Sequence, residues 1–486
     1  MRSVFALFAT ILLAACSSGI DDGVVDVAFI SSEEELDAEG LRLGPAAQHV
    51  RAAQSQGLVT LSANGAVVPA IAERWIVTDD GSSYIFRIRE FDLPDGTRLT
   101  AQAVRDNLAS TLRRLEGTSL GLDLAKIREV RAMTGRVIEI RLRGSMPDLL
   151  QLLAQPELGL VLDGAQAGPM RVRGEDGGVL LEAMPPESRG LPSQPDWDEG
   201  LAAVKISAVD ARAATQGFAE GRYELVLGGH LASLPLADVG PLSRGTIRLD
   251  AALGLFGLDV QRRSGFLAEA DNREALAMAI DRSTLMSAFN IGGWIPTTRI
   301  VSPGLPGDTG TVPERWEGQS IDERRGTASA RVQQWRAGGE DAPTVSIWLP
   351  EGPGSDLLFE ALARDFAMIG VASTRSANRR EADLALRDRV ARYGAARWFL
   401  NQFNCRVSAA VCLEDVDYLV GLGVDARNLA EEESYLAEAE TALLAANTYI
   451  PLGAPIRWSL VRGEVDGFLE NRWNVHPLFP LTRAPI

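Results

Sequence analysis

One stretch, residues 343–375, constrains the fold more than any other. Thr344 to Leu349 reads as a strand. Ser355 stands as a cap for a helix whose apolar face is Leu358, Leu362, Phe366 and Ile369. Gly370 tolerates the left-handed conformation that ends a helix, and Val371 opens a second strand. A strand–helix–strand run returns to one sheet as a parallel pair, with a right-handed crossover. The fold class is therefore α/β. The chain has 486 residues, of which 46% are hydrophobic and 23% charged, enough for packed cores and too apolar for disorder. That length allows roughly two to four compact units. With 65 acidic and 48 basic residues the net charge is −17, so no overall field exists to hold a nucleic-acid backbone.

The N-terminus reads as an export signal. Met1-Arg2-Ser3 is a short basic start, and Val4 to Ala15 is apolar except for Thr10. As a helix this run spans about 18 Å, too short for a hydrocarbon core of about 30 Å. It ends in Leu13-Ala14-Ala15-Cys16, which resembles the bacterial lipobox, whose cysteine is lipidated and becomes the mature N-terminus. Residues 1–15 are then a lipoprotein signal peptide and 16–23 a tether. The other reading is an ordinary signal peptide with a chance cysteine. Setting Cys16 aside leaves Cys405 and Cys412, which an oxidising compartment favours as a disulfide over two separate thiols. His49, His230 and His476 are scattered, with no metal-ligand spacing, so neither a metal nor a cofactor is expected.

Further along, Val24 to Ile30 reads as a first strand. Tyr84, Phe86 and Ile88 alternate with polar or outward neighbours beyond Asp79-Asp80-Gly81, and Trp75-Ile76-Val77 precedes that turn, which predicts a β-hairpin. Thr100 can cap a helix bearing Val104, Leu108, Leu112 and Leu115, and Val137 to Leu142 reads as a strand. Residues 271–289 predict a helix with Asp271 and Glu274 at capping-box spacing. Glu431 to Ala446 predicts another, leading into Tyr449 to Leu452 and a strand around Trp458 to Val461. Pro185 to Gly200 and Ser302 to Gly318 read as surface loops.

Several of these residues resemble a family. Gly57-Leu58-Val59, Val68-Pro69-Ala70-Ile71-Ala72-Glu73-Arg74-Trp75, Asp79-Asp80-Gly81, Tyr84 with Phe86, Arg87-Ile88-Arg89, Asp95-Gly96-Thr97 and Leu99-Thr100-Ala101 follow in order and spacing the signature of the family 5 extracellular solute-binding proteins. That group includes oligopeptide-, dipeptide- and nickel-binding components of ABC importers. Asn272 to Arg282, Gly168 to Val172, Ile450-Pro451-Leu452 and Val475 to Leu478 are similar to further parts of it, so the likeness runs from about residue 50 onward. The resemblance implies a two-lobed periplasmic-binding-protein-like fold (type II, cluster C) with an extra small domain inserted in lobe I. It places lobe Ia at 24–55, 165–252 and 453–486, domain Ib at 56–164 and lobe II at 253–452, with hinges near Ala252 to Gly257 and Tyr449 to Gly453. It further implies a monomer that presents a small ligand to a permease served by a separate ATPase, without covalent chemistry, and the lipobox adds a lipid anchor in the cell envelope.

The candidate site residues each carry two readings. The family often has a Trp-x-x-Asp-Tyr motif whose Asp holds a peptide's amino group. Here Trp398 matches, while neutral Asn401 and Gln402 stand near the Asp position. An amide-lined site suits a neutral or hydroxyl-rich solute, because a buried ammonium without a partner is costly. Alternatively Trp398 and Phe399 are core. Trp294, after Gly292-Gly293, offers a stacking face in a loop that borders the cleft in the family, or packs on its own lobe. His230 ends a strand and either faces the cleft or is structural. Gly117-Thr118-Ser119-Leu120-Gly121 matches the serine-hydrolase pattern, but it follows a predicted helix where that chemistry needs a strand. Asp79-Asp80 and Asp95 are explained by turns rather than acid–base work. An envelope scaffold with a degenerate cleft and an exported serine hydrolase are the alternative functions.

Overall fold

The structure is a computed structural model, which describes residues 23–93, 95–162, 165–238, 245–463 and 465–483. The expected signal peptide and Cys16 lie outside the described residues. Three sheets of four or more strands organise the chain. The first has seven strands in the order Met170–Glu175, Gly178–Ala183, Ala203–Val209, Val24–Ile30, Leu225–His230, Arg457–Val461 and Ile247–Asp250. Its centre is parallel, since Val24–Ile30 runs parallel to both neighbours, and its flanks are antiparallel. Val27 and Phe29 fill the core on one face and Ala28 the other, as the two-residue strand period requires. Both faces are covered, as expected where parallel strands are present.

The second sheet has five strands, ordered Ala372–Arg375, Thr344–Trp348, Leu384–Val390, Gly254–Val260 and Tyr449–Gly453. Thr344–Trp348 pairs parallel with Ala372–Arg375, as the strand–helix–strand reading predicts. Leu358, Leu362, Phe366 and Ile369 are buried, and Gly370 takes φ +83°. The helix, Pro353–Ala367, starts earlier than the expected Ser355 cap. Pro353 occupies its first turn, Gly352 is its N-cap, and Ser355 is buried inside it. A third sheet, Ala72–Val77, Ser83–Ile88, Val137–Leu142 and Ile127–Ala132, is antiparallel throughout and contains the predicted hairpin. The Thr100 hydroxyl accepts the Ala103 amide and caps the helix Ala101–Arg114. One apolar cluster joins residues of this region to Tyr393, Trp398, Phe399 and Phe403.

The helix expected over 271–289 is shorter, Ala270–Ala279, followed by a 3₁₀ turn at Ser287–Phe289. Two sets of interactions end it, one local and one partly long-range. The Asp281 carboxylate accepts the Ser283 amide and the hydroxyls of Ser283 and Thr284, a turn that competes with helix. The buried Arg282 guanidinium donates to the Ala277 and Pro451 carbonyls. Glu274 forms no capping box; it pairs with Arg315 and Arg331.

The chain crosses from the seven-stranded to the five-stranded sheet between Asp250 and Gly254, and returns between Gly453 and Arg457. The two crossings lie side by side, because Gly254–Val260 pairs with Tyr449–Gly453. The second falls just beyond the expected Tyr449–Gly453 segment, which is a fully buried strand. Glycine is needed at both places. A Cβ on Gly254 would stand 2.0 Å from the Arg389 carbonyl oxygen, and one on Gly453 would stand 2.2 Å from the Trp294 ring.

Candidate functional site: the cleft beside the crossings

A cleft of about 760 Å³ opens where the three sheets' connections converge. Residues 41–45, Gln48, His49, Arg457 and Trp473 to Val475 come from the side of the seven-stranded sheet. Residues 117–120, Gln155 and Glu157 come from the region of the antiparallel sheet. Asp388 to Arg392, Trp398, Gln402 and Arg406 come from the end of the five-stranded sheet and the helix Ala396–Asn401 after it.

The charges of the lining are uneven. It holds five arginines, Arg42, Arg389, Arg392, Arg406 and Arg457, against two carboxylates, Glu157 and Asp388. Both carboxylates are already engaged. Glu157 accepts two hydrogen bonds from Arg392, at 2.7 and 2.9 Å. Burial works to lower the Arg392 pKa, but the Glu157 carboxylate outweighs it and holds the pKa above its usual value. Asp388 pairs with Arg457 at 2.8 Å, a contact that ties a strand of one sheet to a strand of the other. Arg389 donates to Gln402 Oε1 at 3.1 Å and projects into the cleft. Its surface is open to the cleft, yet the neighbouring protein partly desolvates it. That desolvation, with Arg387 and Arg379 nearby, pulls its pKa down to about 10. His49 adds no charge. Its Nδ1 faces the Pro45 carbonyl, its Nε2 accepts the His476 amide, and burial lowers its pKa to about 4.

The five residues singled out from sequence fall in different places. Trp398 and Gln402 line the cleft, with Trp398 2% exposed and packed edge-on to Phe399. Trp398 is thus at once core and lining. Asn401 is one step deeper and donates to Asp123 Oδ1 at 2.7 Å, where Tyr393 also donates at 3.2 Å. Burial raises the Asp123 pKa to about 7, against the opposing Asn401 hydrogen bond. Trp294 lies outside the lining: its indole N–H donates to the Ala454 carbonyl and its ring covers Gly453. His230 also lies outside, its pKa lowered by burial.

Ser119 does line the cleft, but as the first residue of a short helix capped by Thr118. The one histidine of the lining, His49, has both ring nitrogens occupied and is too acidic to serve as a base. Asp80 and Asp95 accept turn hydrogen bonds from Ser82 and Thr97. Cys405 and Cys412 form a disulfide with Cα atoms 5.0 Å apart, next to Arg406. Among the described residues no cluster of His, Cys, Asp and Glu is placed to hold a metal ion, and no helix is long and apolar enough to cross a membrane. The arginines were not singled out from sequence. They are spread from Arg42 to Arg457 and carry no shared motif, so only the fold collects them.

Comparison with known proteins follows this geometry. Haemophilus influenzae OppA in complex with RPPGFSPFR superposes with a TM-score of 0.79 at 15% identity, covering 94% of this chain and 98% of that one. The Escherichia coli murein tripeptide binding protein MppA gives 0.78 at 17% identity, covering 94% and 97%. These likenesses establish a shared two-lobed fold. The "Di/tripeptide-binding protein 1" of Pseudomonas aeruginosa (strain UCBPP-PA14) is 22% identical over 349 residues, 63% of this chain, and the chain spans 62% of that relative's length. The family model for bacterial extracellular solute-binding proteins, family 5 Middle, matches residues 66–405. The chain belongs to the family 5 bacterial extracellular solute-binding proteins.

Proposed function

We propose that this protein is the solute-binding component of an ABC import system, and that it captures a peptide-like or other polar solute in the cleft by closure of its two lobes. The observation that carries this reading is the cleft itself, about 760 Å³ and lined from both main sheets beside two adjacent crossings. Contacts with both walls exist only when the walls meet, so ligand binding favours the closed state. The relatives support a peptide-like ligand, two of them being named for peptides. The closed form is then read by a permease whose ATPase is a separate chain. No covalent step is needed, and none is assigned to Ser119. Lipidation at Cys16 would hold the protein to an envelope membrane, with the folded part in the periplasm as a monomer. Trp398 and Trp473 line the cleft and report on it. Adding di- and tripeptides, sugars and metal chelates should shift tryptophan fluorescence and shrink the radius of gyration in small-angle scattering for one class. A panel that leaves both unchanged would refute capture.

A further inference from the structure

Resting on the capture reading, we propose that the cleft takes a small polyanionic solute, one with at least two carboxylate or phosphate groups and no required ammonium. The argument is one of unmatched charge. Of the lining's five arginines, Arg392 and Arg457 are neutralised by Glu157 and Asp388. Among the described residues, Arg42, Arg389 and Arg406 have no carboxylate at ion-pair distance. Asp259, beside Arg389, is spent on Arg387 and Arg379. Asp417 interacts with Arg406 only at longer range and accepts the Cys405 amide. Three unpaired cations thus converge on one volume in a chain of net charge −17, where stray surface anions are plentiful. Arg389 is held in place by the Gln402 side chain, and all three guanidinium groups stand open to the cleft, where an anion can reach them. Guanidinium forks match carboxylate and phosphate geometry, which a hydroxyl or amide ligand would leave unused. The helix Pro45–Gln54 adds to this field, since its N-cap, Gly44, lies in the lining and caps with no side chain. The reverse test is less favourable for an ammonium: both carboxylates of the lining already face an arginine, so it would have to compete for them.

The experiment is calorimetric titration of the mature chain with five probes: N-acetyl-Glu-Glu, its neutral counterpart N-acetyl-Gln-Gln-amide, zwitterionic trialanine, citrate and fructose 1,6-bisphosphate. The first should bind at least about tenfold more tightly than the second. Citrate against the bisphosphate then separates carboxylate from phosphate preference. Arg389→Gln and Arg406→Gln should each weaken the anionic probe by about tenfold at an unchanged melting temperature, and added salt should weaken it further. Arg212→Gln, on the exposed face of a distant helix, should leave binding as it was. Equal binding of the acidic and neutral probes, or preference for trialanine lost on acetylating its amine, overturns the polyanion inference and leaves capture intact. No binding by any of the five also overturns the polyanion inference, while capture itself stands or falls on the wider panel of peptides, sugars and metal chelates.

Discussion

At the scale of single residues, Asp123 is a carboxyl whose environment departs far from water. Its carboxyl is fully buried, Oδ1 receives Asn401 and Tyr393, and Oδ2 has no partner. A folded pKa of about 7 lies above the unfolded value of about 3.9. The native state therefore holds a proton that the unfolded chain has released between those two values. Stability is greatest below pH 4 on this account and falls as pH rises to 7, by on the order of 3 kcal/mol. Asp123→Asn keeps the Oδ1 acceptor and removes the ionisation. Its denaturation midpoint should fall less steeply between pH 4 and 7 than that of the parent; parallel curves would show that Asp123 does not titrate there. At the same scale, Ser119→Ala should leave ligand affinity and any hydrolysis of ester substrates unchanged, because no base stands ready beside Ser119. Loss of a measurable esterase activity on that change would contradict the binding reading.

The elements around the crossings make a different kind of prediction. Trp294 was a candidate for ligand stacking, yet its ring covers Gly453 and its N–H satisfies the Ala454 carbonyl at the return crossing. Gly453→Ala forces a methyl group into that ring and should cost about 2 kcal/mol in urea denaturation. Trp294→Phe should cost about 1 kcal/mol by losing the hydrogen bond, with ligand affinity preserved. A large loss of affinity with little loss of stability would return Trp294 to the binding surface. The Cys405–Cys412 bridge closes a short loop, with a sequence separation of 7, beside Arg406. Replacing both cysteines by serine should cost about 2 kcal/mol through loop entropy. The element boundaries themselves followed local chemistry where one signal acted alone, as at Thr100 and Gly370. They departed from it where signals competed. Asp271 and Glu274 have capping-box spacing, but Glu274 is claimed by two arginines from a later helix and its approach, which no window of neighbouring residues could reveal.

For the whole molecule, ligand binding is expected to raise the melting temperature as well as compact the shape. A ligand at a hundred times its dissociation constant should add about 2.7 kcal/mol of stability, and a scan showing no shift at saturation would mean no preference for the native state. The sequence by itself determined the α/β class, the hairpin and strand–helix–strand units, and the family, because these depend on periodicity and turn chemistry over a few dozen residues. It also carried Trp398 and Gln402 into the lining through their neighbourhood in one motif. Only the tertiary structure decided that Asn401 faces Asp123 inside the wall, that Trp294 seals a crossing, and that the cleft's charge is carried by arginines. The reason is physical. Arg42 lies hundreds of residues from Arg389 and Arg457, and whether each is neutralised depends on carboxylates brought beside it by sheets that pair distant segments. A charge's worth is set by its surroundings in space, which a linear order of residues does not contain.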